Sequence, residues 1–250
     1  MKVHRTILTL SLLILVLFAG YLTNDIIKHH GAAPMFRNPH RIYRTAFPLS
    51  EFPILEGGNW IGGRSFGLDW SDLGTISGHS YGAILAPGFD DGTALLAGSW
   101  EPDQMARAIV FSTTQEQSPN GEIELRLRST LAPHLCTGYE ITWRVFPNET
   151  AYMGITRWNG KLGDFTGLAT YYGSRFGVSN GDVIEATAIG NVISGYKNGV
   201  LQVRVVDVTF PTGSPGMGTD WGTGTDINFG LSEFMAADQL GEDRTETTRR

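Results

Sequence analysis

The chain has one cysteine, Cys136, among 250 residues, so no internal disulfide can form, and Cys₄ or Cys₂His₂ zinc sites are excluded by count. A solitary cysteine is expected to be a small buried apolar residue. Positive charge is scarce as well. With 19 Lys and Arg against 25 Asp and Glu, the formal net charge is −6, which argues against nucleic acid as a partner. Charged residues make up 18% and hydrophobic residues 41%, a globular composition with few charges. Sustained helical periodicity and good helix caps are missing from the body of the chain. Its glycines therefore precede no helix that could cradle a phosphate, and a strand-to-helix serine elbow of Ser-His-Asp hydrolases is not expected.

Glycine and aromatics are plentiful: 32 Gly, 13 Phe, 8 Tyr and 6 Trp. Many short strands joined by tight turns need this mixture, glycine for corners with φ > 0 and aromatics to fill the space between sheets. From Glu122 to Arg128 the chain alternates strictly, with Ile123, Leu125 and Leu127 on one side and Glu122, Glu124, Arg126 and Arg128 on the other. Tyr139 to Val145, Tyr152 to Trp158 and Phe165 to Tyr172 read as further strands. Asp182–Ala188, Val192–Lys197 and Val200–Val206 then form a meander, its last turn the type I′ candidate Asn198-Gly199. Earlier strands are expected at Trp60–Ile61, Tyr81–Leu85 and Thr93–Leu96, and a last one at Ile227–Met235. The fold class is all-β, an antiparallel two-sheet sandwich in which first and last strands lie side by side.

Four regions follow from the patterning. Residues 1–23 open with Lys2, His4 and Arg5 and continue in an apolar run from Ile7 to Leu22, the layout of a signal peptide or a membrane anchor. Residues 24–46 read as a polar linker, 47–237 as one sandwich, and 238–250 as a charged, disordered tail. The location implied is secreted, periplasmic or cell-surface. The membrane enters only through the N-terminal segment, if that segment is retained.

Several motifs carry a family resemblance. Arg157-Trp-Asn-Gly160, Leu162-Gly-Asp-Phe165, Gly181-Asp-Val183, Ala188-Ile-Gly-Asn191, Tyr196-Lys-Asn-Gly199 and Gly213-Ser-Pro-Gly-Met-Gly218 follow in that order. Across roughly residues 47–237 this resembles bacterial concanavalin A-like (LamG-like) jelly-roll modules. The resemblance implies two stacked antiparallel sheets, with carbohydrate contacts on a concave face or its rim. It also implies that calcium could tie first and last strands together, for which Asp69, Asp90, Asp91, Asp220 and Asp226 are loop acids.

Catalytic residues are not evident. Glu122 and Glu124 share a strand face, but Arg126 and Arg128 extend the row, which reads as a solvated face with cross-strand ion pairs. The laminarinase-type Glu-x-Asp-x-x-Glu pattern is missing. Binding has better candidates, because sugar rings stack on aromatics while their hydroxyls need planar polar partners. Arg157, Trp158 and Asn159 combine these types at a strand end, Tyr171, Tyr172 and Arg175 on the next strand, and Trp221 in a Gly-Thr-rich loop. Trp60, Trp70 and Trp143 are expected to be structural. The expected function is a non-catalytic module that binds a glycan or cell-surface polymer. The alternatives are a structural envelope protein and a glycan hydrolase or lyase.

Overall fold

A computed structural model describes residues 39–85, 90–113, 121–220, 222 and 224–239. The signal or anchor segment, most of the expected linker and all but the start of the expected tail lie outside these residues. In chain order the strands are β1 (Arg41–Thr45), β2 (Trp60–Gly62), β3 (Ser71–Ile76), β4 (His79–Ile84), β5 (Gly92–Leu96) and β6 (Asp103–Ser112). They continue as β7 (Glu122–Ala132), β8 (Leu135–Arg144), β9 (Tyr152–Gly160), β10 (Phe165–Tyr172) and β11 (Val183–Ile189). The last are β12 (Val192–Lys197), β13 (Val200–Val206), β14 (Ser214–Asp220), β15 (Gly224–Asp226) and β16 (Phe229–Gln239).

Two sheets result. The smaller has six strands in the order β1-β16-β6-β11-β12-β13. The larger has ten, in the order β10-β9-β8-β7-β14-β5-β3-β4-β15, with β2 paired to β5. Every strand pairing is antiparallel except the short β3–β5 contact. The alternation read from the sequence explains the packing. Ile123, Leu125, Leu127, Ile141, Trp143, Met153 and Ile155 from the larger sheet meet Ala106, Ala108, Val110, Ile184 and Phe234 from the smaller in one buried core. Burying the isoleucines, leucines, valine, methionine and phenylalanine among them stabilises the sandwich by roughly 1.5–3 kcal/mol apiece. Trp60, Trp70 and Trp143 are all buried, as expected of structural residues.

The Asn198-Gly199 turn has φ of 50° and 77° at its two residues, the doubly left-handed geometry of a type I′ hairpin. First and last strands do lie side by side, but the first is β1, inside the stretch read as linker, and it pairs with β16 from Arg41↔Asp238 to Thr45↔Phe234. β16 itself runs to Gln239, past the expected start of the tail, and Asp238 is buried. Its carboxylate accepts the Arg41 and Glu101 backbone N–H groups.

A second, smaller apolar cluster lies on the outer face of the larger sheet. The segment between β2 and β3 folds over that face and brings Trp70 against Leu95, Leu131, Cys136 and Trp158. Cys136 is thus buried, and burial pushes its thiol up to about 11. Among the described residues no helix is long and apolar enough to cross a membrane.

Candidate functional site

The outer face of the larger sheet is ordered in rows by strand register. One row runs Gly218, Glu124, Thr142, Gly154, Thr170 across β14, β7, β8, β9 and β10. The row beside it runs Gly216, Arg126, Glu140, Thr156, Gly167. On the far side of the first row, Asp220 pairs with Glu122, Glu122 with Arg144, and Tyr152 with Tyr172. Beyond the second row, Trp158 on β9 pairs with Phe165 on β10. Strand parity alone puts these side chains on the side away from the core.

Carboxylates dominate the β14–β7–β8 end. Arg126 Nη2 lies 3.3 Å from Asp91, 2.5 Å from Glu124 and 3.0 Å from Glu140. Glu124 and Arg126 are both 0% exposed. Glu140 is the most heavily bonded of the three acids: Oε2 accepts the Trp158 indole N–H at 2.6 Å and Oε1 accepts the Thr142 hydroxyl at 2.7 Å. Glu124 is not satisfied in the same way, since its Oε1 has no hydrogen-bond partner among the described residues. A Cβ at Gly218 would collide with the Glu124 carboxylate, so glycine there gives that side chain its room. One guanidinium faces three buried carboxylates. Burial, followed by repulsion from Glu140, holds Asp91 and Glu124 well above the usual carboxylate range. Burial, then Glu124, does the same to Glu122.

Asp91, Glu124 and Glu140 bring one oxygen each to within 4.8 Å of one another, a spacing that suits a cation. Arg126 Nη2 already contacts all three, so the positive charge these acids call for is supplied by the chain itself.

Beside this cluster is a cleft of about 250 Å³. Asp91, Glu122, Glu140 and Asp220 line one side of it. Thr142, Gly154, Thr156 and Thr170 make its floor, and Tyr152, Trp158 and Phe165 supply aromatic walls. Trp158 and Phe165 are 5.4 Å apart between ring centroids, and Tyr152 lies 5.9 Å from Tyr172. Aromatic rings, hydroxyls and carboxylates in one small concavity can hold a polar molecule that has apolar faces.

Of the seven residues expected to bind, the six that are described do not gather in one place. Trp158 lines the cleft but is 3% exposed, and Tyr172, 70% exposed, stands beyond Tyr152. Arg157 and Asn159 have the opposite parity. Arg157 forms an ion pair with Asp207 at 2.6 Å and bonds Asn159, whose amide reaches Asp164. Tyr171 stacks on Phe176, and Arg175 lies over the same ring. Trp221 lies outside the described residues. The reading of Glu122–Arg128 as a solvated face is corrected: cross-strand ion pairs are present, but Glu124 and Arg126 are buried. Arg128 leaves the row altogether. It occupies a bulge with φ of 48°, and its guanidinium turns to the Pro102 carbonyl and Asp103.

The bare Gly-x-Ser-x-Gly pattern occurs twice, at Gly63–Gly67 and Gly78–Gly82, and the structure makes an elbow of neither. Ser80 is buried within β4 against the Leu231 backbone, and Ser65 Oγ bonds Asp72. A nucleophile elbow needs an exposed serine between a strand and a helix.

Neither a family model nor a curated protein matches the sequence. Solved structures do. The exoplasmic/lumenal domain of VIP36 bound to Ca²⁺ and mannose is similar with a TM-score of 0.51 at 14% identity, over 74% of this chain and 85% of that one. Its form bound to Ca²⁺ and Man₃GlcNAc gives 0.50 at 13%, over 73% and 86%. The carbohydrate-binding module CBM66 from Bacillus subtilis gives 0.49 at 13%, over 73% and 94%. The VIP36 likeness shows the fold: a concanavalin A-like jelly roll.

Proposed function

Starting from that fold and the cleft on its larger sheet, we propose that the chain is an exported, non-catalytic module that binds a glycan or other cell-surface polymer. The cleft carries the reading, because Tyr152, Trp158 and Phe165 border the same concavity as three threonine hydroxyls and four carboxylates. Aromatic faces take the C–H side of a pyranose, and the hydroxyls and carboxylates take its O–H groups. Support also comes from the VIP36 domain, which has the same fold and holds mannose in one structure and Man₃GlcNAc in another. Export is supported by the basic, then apolar, start of the sequence. Trp158 and, at the edge beyond Tyr152, Tyr172 remain in the proposed site, and the cleft residues take the place of Arg157, Asn159, Tyr171 and Arg175. Calcium belongs to the proposal only outside the Asp91, Glu124 and Glu140 group, where Arg126 takes the cation's place. A rise in melting temperature on adding Ca²⁺ checks that part.

Glycan cleavage is favoured by one observation: Glu122 and Glu140 line the same cleft, and burial holds Glu122 well above the usual carboxylate range, the direction a general acid requires. Against it, Glu140 already accepts bonds from Trp158, Thr142 and Arg126, which leaves it a poor base or nucleophile. A glycan array probed with the full chain, followed by an assay for reducing-sugar release, separates the readings. Binding without release is expected. Release that Glu122→Gln abolishes would replace the proposal with a hydrolase, and a folded protein that binds no glycan would end it.

A further inference from the structure

The charge of the cleft goes further than its shape. Among the described residues, four carboxylates line it, and neither lysine nor arginine does. The nearby cations are already paired, Arg126 with its three acids and Arg144 with Glu122 at 3.9 Å, the Arg144 guanidinium carbon lying 5.7 Å from the Tyr152 ring centroid. Behind the lining, among the described residues, Glu124 keeps one fully buried carboxylate oxygen without a donor and Arg126 keeps two buried guanidinium nitrogens without an acceptor. A buried acceptor without a donor costs about 1–3 kcal/mol. Among the described residues the cleft lining therefore offers carboxylate oxygens and no arginine fork of the kind that recognises carboxylate, sulfate or phosphate.

Building on the glycan-binding reading above, we propose that the ligand is an amino sugar with a free ammonium group, such as a unit of a deacetylated glucosamine polymer. The ammonium has three donors and no acceptor, which complements the Glu122 and Asp220 side of the cleft. The pyranose face rests on the aromatic side formed by Trp158 and Phe165 or by Tyr152, and Thr142, Thr156 and Thr170 meet the ring hydroxyls. At about 250 Å³ the cleft is at the small end of ligand pockets, so it grips one sugar unit of a chain. N-acetylation removes the charge and adds bulk on the acidic side. Uronic acids are repelled.

Binding is coupled to protons. The charged groups around the ammonium are, in the cleft lining, Asp91 ahead of β5, Glu122 on β7, Glu140 on β8 and Asp220 at the end of β14, and outside the lining Glu124 and Arg126 on β7 and Arg144 on β8. Asp91 and Glu122, which line the cleft, hold their protons to higher pH than ordinary carboxylates, so a cation seated beside them displaces protons. Affinity for the ammonium form falls as pH is lowered and these acids are neutralised.

Titration calorimetry of the full chain against oligomers of glucosamine, N-acetylglucosamine, glucose and glucuronate, matched in length, tests this. The glucosamine oligomer is expected to bind about tenfold to a hundredfold more tightly than the glucose oligomer, the gain of a hydrogen bond to a charged group. Its heat should depend on the buffer's ionisation enthalpy, which reports proton release. Glu122→Gln and Asp220→Asn should shrink the ratio of glucosamine to glucose affinity, with melting temperatures confirming that both variants fold. Equal or tighter binding of the glucose, N-acetylglucosamine or glucuronate oligomer overturns the amino-sugar assignment and leaves glycan binding standing. If no oligomer binds the folded protein, both fail.

Discussion

Arg126 and Glu140 are register partners on β7 and β8, and Arg126 Nη2 lies 3.0 Å from Glu140 Oε2 while Asp91 and Glu124 close on the same nitrogen. Cleft and fold share this contact. Glu140 lines the cleft and also anchors the Trp158 indole, so the wall that would meet a ligand is held by a buried charge pair. The arginine also lies under the aromatic wall, with its guanidinium carbon 5.8 Å from the Trp158 ring centroid.

Replacing the arginine should therefore damage stability first. Arg126→Met leaves three buried carboxylates without a cation and is expected to cost about 3–5 kcal/mol at pH 8. The loss should be smaller at pH 5, because Asp91 and Glu124, held above the usual carboxylate range by burial, take up protons as pH falls. Denaturant melts at the two pH values check this, and equal losses would contradict an electrostatic origin.

Glu185, on β11 of the smaller sheet, makes a separate pH prediction. Burial raises it from 4.5 to about 7, against the pull of Arg107 at 4.0 Å. The folded state thus binds its proton more tightly than the unfolded chain does. Its contribution is favourable below about pH 4.5 and is lost as pH rises towards about 7. The slope is at most about 1.4 kcal/mol per pH unit. Glu185→Gln should match the wild type at pH 5 and exceed it at pH 8 in thermal melts.

Trp158 and Tyr152 should separate packing from binding. Trp158 is nearly fully buried in the outer-face cluster, so Trp158→Ala is expected to cost about 3–5 kcal/mol and to lower the melting temperature whatever it does to binding. Tyr152 is only half-buried at the cleft edge. Tyr152→Ala should weaken glycan binding about tenfold, or about 1.4 kcal/mol, with the melting temperature changed by only a few degrees.

Gly218 and Gly167 sit in adjacent outer-face rows and should respond differently to the same substitution. A Cβ at Gly218 meets the Glu124 carboxylate, whereas one at Gly167 meets nothing within 4 Å. Gly218→Ala is expected to destabilise by about 1–3 kcal/mol and Gly167→Ala to be near neutral. Chemical denaturation of both variants measures the difference.

Period-two alternation made most of the sandwich legible. It located β7 to β13 and told the core side of β7 from its outer side at Ile123, Leu125 and Leu127. It failed at β14, where Gly213–Gly218 looks like a turn because small residues leave no alternation to read. It also failed at β1, whose five residues are too short and polar to stand apart from a linker. The cleft was harder to see, since its members come from β14, β7, β8, β9 and β10, and register is set by long-range pairing. Composition directed attention to runs such as Arg157-Trp158-Asn159, yet neighbours along a strand point to opposite faces. One signal was readable: the acids of Glu122-x-Glu124 and the Glu140-x-Thr142 pair have the parity of Trp158's face, opposite to Ile123 and Ile141.

Pairing of β1 with β16 has a consequence for how the sandwich can be joined to other things. The His40 backbone N–H donates to the Asp238 carbonyl, so the described body begins and finishes at neighbouring points on one strand pair. A body with adjoining entry and exit can be spliced into a loop of another protein, or cut open elsewhere and rejoined there, without pulling its sheets apart. A short linker between residues 39 and 239 should therefore yield a permutant that still folds, for example one opened at the exposed Asn198-Gly199 turn.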